Sequence, residues 1–221
     1  MYPDAVLFDL DDTLCQHERT TADRLADAFA AAGVDPFFTV DDFRRWAPRV
    51  EGEDPLDFRE QCFAAIAEEQ DRDVDPAYRV AAAYEDPDPT DVRFRPGAEA
   101  ALEELADDYR LGLVTNGGEA HQREKLDALG IADYFEAASY ATPETGIKPD
   151  PAPFHEVLAD LDVAADRAVH VGNSLTTDVA GAQAAGVATV WVPAYEPTGK
   201  QSHAPDYTVD SLHDLVPPPW A

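Results

Sequence analysis

Four short, dominantly apolar runs punctuate the chain: Val6–Leu10, Leu111–Thr115, Ala168–Val171 and Thr189–Val192. Runs of this length without polar alternation suit strands buried on both faces. Between them the apolar spacing changes to three and four residues. Ala98, Leu102, Leu105 and Ala106 share one helical face, and Leu126 and Leu129 lie on another that stops at Gly130. Phe154, Val157, Leu158 and Leu161 follow Pro151, which suits the first turn of a helix. Strand alternating with helix predicts an α/β fold built on a doubly wound parallel sheet.

The interval 16–92 is too long for a single crossover and reads as helices only. Thr20 or Thr21 caps a first helix whose stripe is Leu25, Ala28, Phe29 and Ala32, with Gly33 as its stop. Phe43 and Trp46 mark a second helix, Phe58, Cys62, Phe63 and Ile66 a third, and Ala77–Tyr84 a fourth. The turn-rich stretch Glu85–Thr90 closes the interval. The expected organisation is a core made of 1–15 and 93–221, carrying an inserted all-helical domain of 16–92.

In a doubly wound sheet, ligands bind beyond the carboxyl ends of the strands, so the polar residues that follow each run carry the chemistry. Asp9 and Asp11 follow the first run; an extended backbone turns both carboxylates to one side, where one can attack and the other move a proton. Thr115, Asn116 and Gly117 follow the second, offering a hydroxyl and accessible amides to phosphate oxygens. Asn173 and Asp178 follow the third, with an amide oxygen and a carboxylate suited to a hard cation. Lys148, on the loop Gly146–Pro149, is one of only three lysines.

These four segments, in this order, resemble the four signature motifs of the haloacid dehalogenase superfamily. The resemblance extends over nearly the whole chain, including Arg95–Gly97 and Lys148–Pro151. It implies a Rossmann-like core, with the helical insert as a cap of the kind found in phosphatases of small molecules. It further implies Asp9 as nucleophile and magnesium ligand, Asp11 as general acid/base and ligand through its main-chain carbonyl, and Thr115, Asn116 and Gly117 around the phosphoryl oxygens. Lys148 would offset charge between Asp9 and phosphate; Asn173 and Asp178 would complete the Mg²⁺ site. The family usually has Asp at the position of Asn173, so weaker magnesium binding is expected here.

The activity implied is a magnesium-dependent phosphohydrolase working on a small phosphorylated metabolite through an aspartyl-phosphate. Two alternatives remain. A 2-haloacid dehalogenase uses the same nucleophile without metal but normally lacks an acid at the Asp11 position. A non-catalytic binding protein on the same core is suggested by Asn173. Phosphatase and phosphomutase are not separable from these residues.

Charge narrows the partners. With 45 acidic and 16 basic residues the chain carries −29, which repels nucleic acid and anionic membranes. Of the basic residues 13 are Arg, and this acidic, lysine-poor composition resembles proteins of salt-loving archaea. Only Cys15 and Cys62 are present, no signal-peptide pattern opens the chain, and no run approaches a membrane span, so a cytoplasmic protein with reduced thiols is expected. The six histidines show no metal-motif spacing. Oligomeric state is not legible.

Overall fold

Val6 and Phe8 pack into the core on one side of the first strand, and Ala5 and Leu7 into the core on the other, which is why this run is apolar up to Asp9. The computed structural model describes residues 3–143, 145–194 and 203–220. In chain order its elements are β1 (Ala5–Phe8), β2 (Cys15–His17), α1 (Thr21–Ala32), α2 (Val40–Trp46), α3 (Pro55–Glu69), α4 (Asp75–Ala83), β3 (Val92–Phe94) and α5 (Ala98–Asp108). There follow β4 (Arg110–Val114), α6 (Glu119–Leu129), β5 (Ala137–Ser139), α7 (Ala152–Asp160), β6 (Ala168–Gly172), α8 (Ala180–Ala184), β7 (Ala188–Trp191) and β8 (Tyr207–Thr208).

The main sheet has the order β5-β4-β1-β6-β7-β8, and its paired strands run parallel throughout. The four apolar runs are β1, β4, β6 and β7, so the doubly wound reading holds. In register, Phe8 lies opposite Leu113 of β4 and Val171 of β6, which brings the carboxyl ends of these three strands level. One face is covered by α5 and α6 through Ala98, Leu102, Leu105 and Leu126, and the other by α7 and α8 through Phe154, Val157, Leu158 and Ala182. β5 and β8, of three and two residues, were not legible in the sequence. Strands so short show no period and exist because a longer neighbour pairs with them.

The chain divides into two compact units, residues 1–17 with 89–221 and residues 18–88. The second is α1 to α4, packed on Leu25, Phe29, Phe38, Phe63, Ile66 and Val80, with Phe29, Phe38 and Phe63 ring against ring. Thr20, rather than Thr21, caps α1, and Gly33 ends it in the left-handed conformation at φ 62°. The expectation of helices alone over 16–92 needs one correction. β2 and β3, at the two ends of that interval, pair antiparallel, with His17 opposite Val92. Each is three residues long and is held as a strand by the other. Among the described residues no helix is long and apolar enough to cross a membrane.

Candidate functional site

Beyond the carboxyl ends of β1, β4 and β6 lies a cleft of about 290 Å³ lined by Asp9, Asp11, Thr115, Asn116, Gly117, Lys148, Asn173, Thr177 and Asp178. Every residue singled out from the sequence borders it, and Thr177 is added. Sequence spacing could not guarantee this, since the register of three separate strands brings the four segments together.

Lys148 sits at the centre of the charge arrangement. Its ammonium donates to Asp9 Oδ1 and the Val114 carbonyl and forms an ion pair with Asp178 Oδ1, each at 2.7 Å. Its main chain is clamped by Asn116, whose Nδ2 donates to the Lys148 carbonyl at 2.9 Å and whose Oδ1 accepts from the Lys148 amide at 2.7 Å. The Asn116 side chain is therefore committed to holding Lys148. Thr13 donates from Oγ1 to Asp9 Oδ2 at 2.7 Å, so each Asp9 oxygen has a fixed partner. Burial, with Asp178 nearby, pushes the Asp9 carboxyl up to about 7 against the pull of Lys148. Burial also opposes the ionised form of Asp178, but Lys148 and His170 hold that carboxyl below its ordinary range. Lys148 loses hydration on burial, yet the two carboxylates hold its ammonium above the usual range.

Asp178 is anchored from the far side. Its Oδ2 accepts from the Ser174 amide at 2.9 Å, and His170 Nε2 lies 3.4 Å from Oδ1. A Cβ at position 172 would come within 2.4 Å of the Asp178 side chain, so only glycine lets β6 pass this close. Trp191 Nε1 donates to the Asn173 carbonyl at 2.8 Å, and the Asn173 Oδ1 lies 3.4 Å from Thr13 Oγ1.

Asp11 points to α6. Its Oδ1 pairs with Lys125 Nζ at 2.6 Å and its Oδ2 accepts from Gln122 Nε2 at 2.7 Å. The other Gln122 N–H reaches Thr115 Oγ1 at 3.1 Å, and the Gly117 amide donates to the same oxygen at 3.2 Å. Sequence reasoning gave no role to Gln122, Lys125, Thr13 or His170. The available signal was Lys125, a charge beside Leu126 on the apolar stripe of α6 in a chain with three lysines. The turn carrying Asp11 is held by Arg95, which donates to the Asp12 carbonyl at 2.5 Å and the Pro193 carbonyl at 3.0 Å. Cys15, at the end of this turn, is fully buried, and burial pushes its thiol up to about 12.

Among the described residues no group of three His, Cys, Asp or Glu side chains forms a metal cage. The donor set nevertheless fits a hard divalent cation: the Asp9 and Asp178 carboxylates, the Asn173 amide oxygen and the Asp11 carbonyl are all oxygens. The turn's own bonds run to the Leu10 carbonyl from residues 13, 14 and 15 and from Asp12 N–H to the Cys15 carbonyl. The Asp11 carbonyl takes no part in them.

The pattern of the haloacid dehalogenase-like hydrolases matches residues 3–186. A phosphoserine phosphatase of Thermus thermophilus is 31% identical over 249 aligned positions, covering 95% of this chain and 96% of its own. A phosphoglycolate phosphatase of Rhodospirillum rubrum is 36% identical over 195 positions, 85% of this chain and 78% of its own. Several other curated relatives match over about half of this chain and about half of their own length. The solved structure of a 2-haloacid dehalogenase from Pseudomonas syringae superposes with a TM-score of 0.60 at 31% identity, covering 98% of this chain and 97% of that one.

Proposed function

The chain belongs to the haloacid dehalogenase-like hydrolase family, and on that premise we propose that it is a magnesium-dependent phosphohydrolase acting on a small phosphate ester. The observation that carries this reading is the pair of carboxylates on one cleft: Asp9 buried and fixed on both oxygens, and Asp11 two residues on, 44% exposed and tied to separate partners. One group is placed to attack and the other to move protons.

In the proposed reaction an Asp9 oxygen attacks phosphorus, the P–O bond to the leaving group breaks, and Asp11 gives that oxygen a proton. Water then attacks the aspartyl-phosphate, Asp11 takes a proton from it, and the Asp9–phosphorus link breaks to release inorganic phosphate. Lys148 lowers the repulsion between Asp9 and the incoming anion, and Thr115 donates to a phosphoryl oxygen. Asp9, the Asp11 carbonyl, Asn173 and Asp178 would hold the magnesium ion, which when bound supplies further charge neutralisation and orientation. Residues 16–92 would serve as a cap that excludes bulk water and large substrates. The phosphoserine and phosphoglycolate phosphatases among its relatives support a small phosphate ester such as a phosphorylated acid. Adaptation to high salt, supported by the acidic, lysine-poor composition, and a cytoplasmic location, suggested by the two cysteines and the lack of a membrane-span run, complete the proposal.

A second reading, dehalogenation, has the 31% identical haloacid dehalogenase structure in its favour. That chemistry has no leaving oxygen to protonate, so it gives no reason for a carboxylate at position 11 held by two donors. The deciding experiment measures phosphate release from a panel of small esters, and chloride release from 2-chloroacids, with magnesium and with chelator at high potassium chloride. We expect magnesium-dependent phosphate release that Asp9→Asn abolishes. Chloride release without phosphate release would replace this reading with the second.

A further inference from the structure

Two residues of α6, Gln122 and Lys125, are buried beside the cleft and stand outside the four motifs. They are three positions apart, so they share a helical face. Both aim at the same group. Lys125 Nζ meets Asp11 Oδ1 at 2.6 Å while Gln122 Nε2 meets Asp11 Oδ2 at 2.7 Å. The Asp11 side chain is itself 44% exposed, so without these donors nothing else recorded among the described residues holds its carboxylate.

Gln122 makes a second connection. Its remaining N–H donates to Thr115 Oγ1 at 3.1 Å, and the Gly117 amide donates there at 3.2 Å. A hydroxyl has two lone pairs and one hydrogen. With both lone pairs engaged, the Thr115 hydrogen is left to point at an acceptor in the cleft that Thr115 lines. With Asp11 ionised its carboxylate can only accept, which settles the amide orientation. It comes at a cost: Gln122 Oε1 is buried with no partner, an arrangement that an apolar side chain would avoid. The backbone also makes room for it, because a Cβ at position 117 would lie 1.6 Å from Gln122 Nε2. Glycine in the Thr115–Gly117 segment is thus needed for the glutamine as much as for any ligand.

We propose that Gln122 and Lys125 are positioning residues that clamp the Asp11 carboxylate for proton transfer, and that Gln122 also fixes the Thr115 hydroxyl as a donor to the phosphoryl group. This rests on the phosphohydrolase reading above. It predicts a loss that depends on the leaving group. The ratio kcat/KM reports the steps up to formation of the aspartyl-phosphate, in which a poor alkoxide leaving group needs the Asp11 proton and a good aryloxide hardly does.

The test compares wild type, Lys125→Met and Gln122→Leu, all as the full chain with magnesium, on the best alkyl phosphate found and on p-nitrophenyl phosphate. For both variants kcat/KM on the alkyl ester should fall roughly 10²-fold, the lower end of what a positioned acid contributes, and on the aryl ester far less. Gln122→Leu should in addition raise KM for both esters, through the unfixed Thr115 hydroxyl. If Lys125→Met does not fold, Lys125→Leu, which likewise cannot donate to Asp11, carries the same comparison. Equal losses on the two esters, or none on either, in the presence of an active wild type would overturn the clamp alone. A folded wild type inactive on every ester would overturn the phosphohydrolase reading and the clamp with it.

Discussion

Asn173 sits where the family usually places a carboxylate, at the end of β6, its carbonyl held by Trp191 and its side-chain oxygen facing Thr13. It has the oxygen a hard cation needs without the charge. If it ligates magnesium, Asn173→Asp should tighten the metal, since ligand charge count tunes affinity at oxygen sites. The expected outcome is a fall of roughly tenfold in the magnesium concentration for half-maximal activity. An unchanged magnesium dependence would remove Asn173 from the proposed ligand set. The identity of this residue was plain from the sequence. Its partner Thr13 was not singled out, because the contact joins positions 160 residues apart.

At the scale of elements, the helices of residues 18–88 show how an acid-rich chain starts a helix. Thr20 accepts from the Asp23 amide at 3.1 Å while Asp23 accepts from the Thr20 amide at 3.0 Å, and Thr39 with Asp42 repeats the exchange. Aspartate takes the place that glutamate or glutamine commonly holds in this reciprocal cap, and its charge also suits the positive end of the helix. Thr20→Ala should therefore cost about 1 kcal/mol, seen as a lower urea midpoint. Such signals lie within three residues of one another, so the first helix was legible down to its Gly33 stop and to a choice between two adjacent caps, Thr20 and Thr21, of which the structure uses Thr20. The short strands were not, because three residues in β2 or β5 become a strand only through what lies beside them.

At the scale of the molecule, −29 charges surround a cleft proposed to receive an anion. The chain has three lysines, and two of them, Lys125 and Lys148, are buried at this cleft against Asp11, Asp9 and Asp178; the third, Lys200, lies outside the described residues. Among the described acids only Asp9 and Asp178 are buried, so most of the remaining carboxylates reach solvent, where the excess of negative charge is self-repelling. Raising potassium chloride from about 0.1 M to about 1 M shortens the screening length from roughly 10 Å to roughly 3 Å, and should raise the melting temperature of this hydrolase. A melting temperature that is flat or falling with salt would count against the proposed salt adaptation. The sequence by itself determined the strand runs, the helix periods and caps, and the polar residues waiting at strand ends, because those depend on neighbours a few positions away. Only the tertiary structure decided that Lys148 stands between Asp9 and Asp178, and that α6 turns Gln122 and Lys125 onto Asp11. Those contacts join residues 30 to 139 positions apart, and their geometry follows from the register of β1 against β4 and β6, which no local spacing encodes.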